Sequence, residues 1–312
     1  MSNSARPVTS VAHGLQLGAD GGKASNHPLT VNPPTRSIPS PAEVARLAAS
    51  IAPPSGWRLI VAKISHLWLV ALLLLIWEFA SIVAVRSSPQ IGVMLPPPTA
   101  IYSAAKELLA RGELVPNIVA SLTRVLTAVG VAAAIGVPLG LIMGWTPRFR
   151  VAIDPLIEFI RPIPPLAWIP LSILWFGIGN VQVDFIIFLA AFFPIVLSSM
   201  AGARDVDVYL LRAGLSMGAR RGDLFRTVVF PAALPMVFTG LRVGLGIGWM
   251  ALVAGELVAA PSGLGYMINN ARTLFRSDII LLGMVLIGVL GLVLDIVIRQ
   301  ISRYLMPWYN RQ

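Results

Sequence analysis

Apolar residues run along this chain in long blocks that short polar segments separate. Each block is about 20 residues or longer, which is the length at which an α-helix crosses the hydrocarbon core of a bilayer. The pattern therefore predicts an all-α, polytopic membrane protein with about six transmembrane helices. The predicted spans cover residues 64–85, 118–145, 153–176, 183–203, 232–259 and 279–301.

Polar or proline-rich features interrupt and flank these spans. "RPIPP" (161–165) breaks the third span, because proline lacks a backbone N–H and disfavours helical geometry in the residue before it. "PSGLGYMINNARTLFRSD" (261–278) is predicted to be a polar, re-entrant loop before the last span. Residues 1–56 are rich in Pro, Ser, Ala and Gly, so we expect a disordered tail ahead of a transmembrane domain at 57–312.

The composition agrees with this pattern and argues against several classes of function. Of the residues, 56% are hydrophobic and 12% are charged, whereas soluble domains carry about 25% charged residues. The chain has no cysteine, and of its three histidines only His66, at the start of the first span, lies in a predicted span, so neither a metal site nor a catalytic residue is predicted in the spans. The net charge of +10 is spread over the tail and the segments between spans, which argues against nucleic-acid binding.

The basic residues are divided unequally between the two sides of the predicted membrane. With the N-terminus in the cytoplasm, the cytoplasmic segments hold 16 Lys and Arg residues and the outer segments hold six. Positive charge favours the cytoplasmic side, so both termini, and with them the tail, are predicted to be cytoplasmic. The six outer residues are Arg86, Lys106, Arg111, Arg124, Arg272 and Arg276.

The segment between the fourth and fifth spans, "LLRAGLSMGARRGDLFRTVVFPAALP" (210–235), is unusually polar and basic. Apolar residues recur through its first half and just before it at near-helical spacing. This spacing predicts a short amphipathic helix at the membrane surface. The apolar residues are Val208, Leu211, Leu215 and Met217.

Glycine and proline divide this segment further. Gly218 interrupts the helix and Gly222 follows, which predicts a helix–turn–helix unit, and Pro231 is predicted to begin the next span. Such a unit presents a compact, partly apolar surface to the cytosol. The pattern alone fits an ordinary surface loop as well as it fits a docking surface.

The residues "MGARRGDLFRTVVFPAALP" resemble the cytoplasmic loop signature of binding-protein-dependent ABC importer permeases. That signature has a Glu-Ala-Ala triplet, three residues, Gly, nine residues, a branched apolar residue, any residue and Leu-Pro. The resemblance implies coupling helices at about 205–222 that contact an ATPase. The matching positions are Arg212, Ala213 and Gly214 for the triplet, Gly218 with the adjoining Ala219, and Val228, Phe230 and Pro231.

Arg212 departs from the signature, which has Glu at this position. Contact with the ATPase is therefore expected to depend more on shape than on a carboxylate at this point.

Further motifs resemble, in the same order, the permeases for taurine, aliphatic sulfonates and nitrate over residues 64–309. The resemblance implies a type I ABC importer permease fold in a bacterial inner membrane. It also implies import of a small anion, with taurine or an aliphatic sulfonate favoured over nitrate. The motifs are "LPPPTAIYSAAKELLARGEL", "SLTRVL", "RPIPPLAWIPLSILWFGIG", "GLRVGLGIGWMALVAGEL" and "SGLGYMINNAR".

The resemblance also implies partners. Two copies of the permease are expected to pair in the membrane, each with one cytoplasmic ATPase, and a periplasmic binding protein is expected to deliver the solute. The sequence has no Walker motif, so the chain is expected to be a non-catalytic subunit. ATP and Mg²⁺ are expected on the ATPase, and no cofactor is expected on this chain.

Charged residues within spans are candidates for the translocation path or its gate, because each costs about 2.5–3.5 kcal/mol at the bilayer centre on insertion scales. Glu158 and Arg161 are three residues apart, so they share a helix face and can pair. Alternatively, Arg161 draws an anion into the path beside the broken helix. Glu256 has the wrong charge for an anion ligand and is expected to pair with an arginine, structurally or in a gate.

Trp249 is the aromatic residue that we favour for the path or gate. It lies beside Gly244, Gly246 and Gly248, whose small size allows close approach of another helix. This stripe fits a subunit interface and core packing about equally well.

Two other classes of function remain to be weighed. An intramembrane enzyme would need a nucleophile with a base or a set of metal ligands, and the predicted spans contain no Cys and a single His, His66 at the start of the first span. A secondary carrier driven by an ion gradient would leave the cytoplasmic segment from Gly218 to Pro231 without a role. ATP-dependent uptake in the presence of a separate ATPase distinguishes an importer from a carrier.

Overall fold

The computed structural model describes residues 96–307, Ala71–Val83, Trp68, Ser40 and Glu43. Apart from Ser40 and Glu43, the predicted tail lies outside the described residues and stays a prediction. The described residues form helices joined by short turns. The helices are α1 Ala71–Val83, α2 Pro98–Ala110, α3 Leu114–Trp145, α4 Pro147–Ile160, α5 Ile169–Phe176, α6 Asn180–Arg204, α7 Val208–Ser216, α8 Arg221–Ala259, α9 Leu264–Thr273 and α10 Ser277–Leu305.

Five of the six predicted spans coincide with described helices. Among the described residues, α3, α6, α8 and α10 are each long and apolar enough to cross a membrane, and the bent pair α4 and α5 makes a fifth span if it counts as one. Of the predicted first span, the structure describes only Trp68 and Ala71–Val83. The count of six therefore stays a prediction.

The third span is broken where "RPIPP" predicts a break. α4 ends at Ile160, a 3₁₀ turn covers Pro165–Trp168, and the helix direction changes by 81° between the two halves. Pro162, Pro164 and Pro165 cannot donate the hydrogen bonds that would continue the helix.

The centre of the described fold is α6, which packs along both α3 and α8. The contact is a buried apolar cluster that includes Val125 of α3, Ile187 and Ile195 of α6, and Leu252 of α8. Because each of these side chains is fully or almost fully buried, their packing fixes the positions of the three helices relative to one another.

Glycines let α3 approach α6 closely. A methyl group added at Gly140 would overlap the backbone oxygen of Val196 and come within 2.7 Å of the Ser199 Cβ. One added at Gly144 would lie 2.5 Å from the backbone oxygen of Met200. Backbone atoms cannot move aside without displacing the helix, so these positions require glycine.

A pair of Gly→Ala variants tests this packing. We expect Gly140→Ala to lower the free energy of unfolding by about 1–3 kcal/mol, because it overpacks a backbone contact. Gly130 is also in α3 but faces open space, so Gly130→Ala should raise helix stability by about 0.5–1 kcal/mol. Equilibrium unfolding in mixed micelles measures both, and equal effects would contradict the packing of α3 on α6.

The structure corrects two predictions about where helices lie. The predicted loop at 261–278 contains α9, whose Leu264, Met267 and Ala271 form an apolar face packed against α2 and α10. The helix that contains the fifth predicted span starts at Arg221 rather than near 232, because it continues from the basic segment through a π-helical turn into Phe230–Ala259. Polar residues lower the average hydropathy of α9 and of the first turns of α8, so hydropathy did not mark either segment as part of a span.

Candidate functional site

The predicted coupling segment contains α7. Residues of this segment cap the helix at its N-terminus and terminate it at its C-terminus. The Asp207 carboxylate accepts the N–H of Tyr209 at 2.8 Å, which caps the first turn. At the other end Gly218 has a φ of +81°, and the Ala219 N–H donates to the Gly214 carbonyl at 3.1 Å. This is a Schellman termination, in which the left-handed position strongly favours glycine.

The outward side of α7 is apolar. Tyr209 is 77% exposed and Met217 82% exposed, and Val208 and Leu215 are each more than half exposed. Of the four apolar residues predicted to form one face, only Leu211 packs against the neighbouring apolar cluster. α7 therefore presents apolar side chains to its surroundings, as surfaces that bind a partner do.

The predicted triplet divides between the two sides of α7. Arg212 and Ala213 are exposed, whereas Gly214 is buried. A methyl group added at Gly214 would overlap the Leu224 Cδ2, so α7 rests directly on the first turn of α8 at this point. Ala219 is half-buried in the turn between the two helices.

Pro231 lies in the first turn of the α-helical segment Phe230–Ala259, as predicted, although α8 itself begins earlier, at Arg221. The turn Phe225–Val229 is π-helical, and the Phe230 N–H donates to the Phe225 carbonyl five residues before it. Pro231 follows immediately and has no N–H to contribute to the next turn. The wide turn lets α8 continue through this position without ending.

One apolar cluster attaches α7 and its turn to the spans. Val206, which precedes α7, is buried together with Leu141 of α3 and Val229 of α8. The rings of Trp145 and Phe225 add a contact with their centroids 6.1 Å apart. α7 is therefore packed, through this cluster, on the neighbouring ends of α3, α6 and α8.

The break between α4 and α5 borders a cavity of about 230 Å³, which we call the Arg161 cavity. Arg161 is exposed, and within residues 96–307 it has no ion-pair partner. The cavity thus combines one free cation with apolar walls. The remaining lining residues are Ile163, Pro165, Trp168, Leu189, Ala190, Phe193, Pro194, Leu197 and Ile247.

The expected pairing of Glu158 with Arg161 is not present among the described residues. Both side chains are exposed, and Arg161 lies at the 81° bend where the helix face that it would share with Glu158 ends. Of the two, only Arg161 borders the cavity.

Glu256 has an arginine partner, Arg124, in a buried ion pair. The Arg124 Nη1 donates to the Glu256 Oε1 at 2.6 Å, and the two side chains are 6% and 0% exposed. This pair lies near the C-terminal end of α8, opposite the end that carries α7. A buried pair of this kind needs further hydrogen bonds to offset the loss of hydration.

The surrounding polar groups supply those hydrogen bonds. Arg124 also donates to the Asn180 Oδ1 at 2.7 Å and to the Ser262 carbonyl at 2.6 Å. Glu256 accepts from the Ser121 hydroxyl and from the Gly265 N–H, each at 2.8 Å. The network joins α3, α6, α8 and α9 at one end of the fold.

Sequence reasoning missed most of this network. Arg124 was counted among the outer cations, but it is 5% exposed and forms the centre of the site. Ser121 and Arg124 both lie in the motif "SLTRVL", three residues apart and therefore on one helix face. This spacing was the feature of the sequence from which a polar site on one face of this helix could have been predicted.

Trp249 is buried, and its indole N–H donates to the Ile287 carbonyl of α10 at 3.1 Å. Among its neighbouring glycines, Gly244 and Gly248 face α6 within the same chain, whereas no described residue lies within 4 Å of a methyl group added at Gly246. Residues two apart on a helix point in nearly opposite directions. The three glycines are therefore not one stripe, and two of the three serve packing within the chain.

A second cluster of charged side chains joins α8 to α10. The Arg242 Nε donates to the Asp295 Oδ1 at 2.5 Å, and Arg299 binds the other carboxylate oxygen. These side chains are partly exposed, with the Arg242 side chain 50% exposed. Exposed pairs contribute little to stability, about 0–1 kcal/mol.

Arg276, which directly precedes α10, forms ion pairs with Glu107 of α2, at 2.7 Å, and with Asp278 of α10. These two pairs join α2 to the start of α10. The hydrogen bond from Arg276 holds the pKa of Glu107 below its ordinary value. A carboxyl whose pKa is lowered by folding stabilises the fold above its ordinary pKa, and this contribution is lost as the pH falls through the lowered pKa.

The family model for the inner-membrane component of binding-protein-dependent transport systems matches residues 136–311. The chain belongs to this family. The permease is 39% identical to the taurine transport system permease protein of Escherichia coli over 246 residues, which cover 77% of this chain and 88% of that protein. It is 34% identical to the nitrate import permease protein of Synechocystis over 191 residues, which cover 61% of this chain and 70% of that protein.

A solved structure agrees on the fold. The permease superposes on a chain of the MetNI methionine ABC transporter in an inward facing conformation with a TM-score of 0.56 and 19% identity. The match covers 62% of this chain and 97% of that chain. The all-α fold of an ABC importer permease is thus confirmed, and the partners of this family are an ATPase and a solute-binding protein.

Proposed function

We propose that this permease carries a small anion, with taurine or an aliphatic sulfonate favoured, through the membrane in an importer driven by a separate ATPase. The observation that carries the choice of an anion is the Arg161 cavity. A cation without a partner in an otherwise apolar cavity attracts an anion, and the apolar walls can contact a short hydrocarbon chain.

The relatives support this class of solute. Taurine carries a sulfonate group, and nitrate is itself an anion, so an arginine beside a broken span suits both. The Trp168 and Phe193 side chains lining the cavity favour a solute with carbon atoms. Nitrate remains the alternative, because a relative named for its import is 34% identical over most of its length.

We further propose that two identical copies pair and that one ATPase docks on α7 of each copy. The exposed apolar side of α7 supports this role, as does its attachment to α3, α6 and α8. ATP-driven movement of the ATPases would then displace the ends of these helices and alternate access to the path. A periplasmic binding protein would deliver the solute at the opposite end, near Glu256.

The proposed orientation has both termini in the cytoplasm of the inner membrane. It places the exposed arginines Arg212, Arg220, Arg221 and Arg226 in the cytoplasm, where positive charge is favoured. The roles of Glu158, Trp249 and Glu256 in a path or gate stay predictions. The buried network around Glu256 supports a gate or a fixed support more than direct contact with an anion.

Replacing Arg161 tests the proposed anion site. We expect Arg161→Met to lower the rate of taurine uptake by about 10- to 100-fold, because a charge-assisted hydrogen bond to the solute is lost. Arg161→Lys should keep part of the rate, since it retains the charge. Uptake of labelled taurine into cells that also express the ATPase and binding protein measures both.

Arg148→Met provides the matched control, because Arg148 is equally exposed but lies outside the cavity. Uptake by Arg148→Met should match that of the wild type. Unchanged uptake by Arg161→Met would contradict the proposed anion site. Uptake of nitrate but not of taurine by the wild type would replace the proposed solute by the alternative.

A further inference from the structure

Asp184 is a carboxylate within a membrane span that the sequence analysis did not single out. It lies in the second turn of α6, within the apolar run "VDFIIFLAAFF". Its Oδ1 is buried and, among the described residues, has no hydrogen-bond partner. Acidic residues in spans generally face a bundle interior or an aqueous cavity and have a partner there, so an unsatisfied one calls for a ligand.

A cavity of about 260 Å³ adjoins this carboxylate. Aromatic rings form much of its wall, and the rings of Phe176 and Phe185 contact each other with centroids 5.3 Å apart. We call it the Asp184 cavity. Its lining residues are Thr127, Ala128, Val131, Phe176, Val181, Asp184, Phe185 and Phe188.

The nearby cation does not neutralise Asp184 by direct contact. The charge of Arg124 acts on Asp184 through space, but its guanidinium donates to Glu256, Asn180 and Ser262. Arg124 and Glu256 balance each other's charge. Asp184 therefore has no direct cationic partner among the described residues, and in its ionised form it places one negative charge beside the cavity.

From this arrangement we propose that the Asp184 cavity binds a primary alkylammonium group. A carboxylate supplies the opposite charge and a hydrogen-bond acceptor, and aromatic faces attract organic cations. Apolar walls disfavour a hydrated metal ion, which would need several oxygen ligands.

Two sources can supply this group: an aminosulfonate solute such as taurine, or the headgroup of phosphatidylethanolamine. The assignment to the solute rests on the proposed function. The two cavities are lined by different faces of α6, so in that case Asp184 holds the ammonium group at a site separate from Arg161.

Binding of ethylammonium to the full-length permease in maltoside detergent tests the ammonium site without depending on transport. Saturation-transfer NMR detects weak binding, and ethanol provides the neutral probe of similar size. We expect binding of ethylammonium but not of ethanol, and a dissociation constant about 10-fold or more higher in Asp184→Asn, because the charge-assisted contact is lost. Asp154→Asn, which changes an aspartate of α4 outside the cavity, should bind like the wild type.

Phe188→Leu provides a second variant in case Asp184→Asn fails to fold. It removes an aromatic face and keeps the carboxylate, so the dissociation constant for ethylammonium should rise about 2- to 5-fold. Equal binding of ethylammonium and ethanol would overturn the proposal. Wild-type affinity in folded Asp184→Asn would do the same.

Competition distinguishes the two sources. Displacement of ethylammonium by taurine supports the solute, whereas displacement only by phosphatidylethanolamine keeps the ammonium site and assigns it to lipid. If ethylammonium binds through Asp184 but cells take up neither taurine nor nitrate, the proposed function fails and this site stands.

Discussion

Replacing Arg124 by methionine is expected to lower the free energy of unfolding by about 3–5 kcal/mol, because it leaves the buried Glu256 carboxylate without its charged partner. The Ser262 carbonyl and the Asn180 side chain lose hydrogen bonds in the same variant. Equilibrium unfolding of the purified permease in micelles titrated with sodium dodecyl sulfate measures the loss. This is the largest effect on stability that we expect from a single substitution.

Two further variants separate the ion pair from a general effect of removing arginine. Adding Glu256→Gln to Arg124→Met should restore part of the stability, since it removes the unpaired charge and keeps an oxygen for the Gly265 N–H. Arg242→Met should cost no more than about 1 kcal/mol, because its ion pair with Asp295 is half-exposed. Equal losses in Arg124→Met and Arg242→Met would contradict the special role of the buried network.

A β-branched residue at Gly218 should separate ATP hydrolysis from transport. The backbone of Gly218 is left-handed, with a φ of +81°, a conformation that valine adopts only at high cost. We therefore expect Gly218→Val to distort the end of α7 and its docking surface. Solute uptake per ATP hydrolysed should fall by about 10- to 100-fold, the size of a strong coupling between two sites.

Gly218→Asn is the matched control, because asparagine tolerates left-handed backbone better than other non-glycine residues and adds a side chain of similar size. It should keep most of the coupling. Both variants should insert into the membrane normally, which quantification in isolated membranes checks. Wild-type coupling in Gly218→Val would show that α7 does not link the ATPase to the spans.

Hydropathy was sufficient for the positions of five spans and for the break at "RPIPP". These features follow from bilayer thickness and from the missing N–H of proline, both of which act locally in the sequence. The start of α8 and the presence of α9 could not be found in this way. Both helices carry polar residues on one side, and their stability depends on apolar contacts that form only in the fold.

The candidate site was predictable to a smaller extent. The expectation that Glu256 has an arginine partner required only its charge and depth, but the choice of Arg124 depends on how α3 packs against α8. Helical spacing suggested that Glu158 pairs with Arg161, and the 81° bend ends the helix face on which that argument rests. Asp184 was not selected as a candidate, because its neighbours in the sequence are apolar. Only the folded structure shows that its Oδ1 has no hydrogen-bond partner among the described residues.

The two ends of the fold differ in the way they are held. At one end, an apolar cluster connects α7 with α3, α6 and α8. At the other, the ion pair of Arg124 and Glu256 fixes the same three helices and α9 through directional hydrogen bonds. The end that carries α7 is thus held by non-directional apolar contacts, and the opposite end by directional polar contacts.

The most direct test of the account is uptake of labelled taurine into proteoliposomes that contain the permease with its partner ATPase and a taurine-loaded binding protein. We expect uptake with ATP, and none when an ion gradient replaces ATP or when the ATPase is left out. Uptake driven by an ion gradient without the ATPase would contradict the account, because α7 would then have no part in transport.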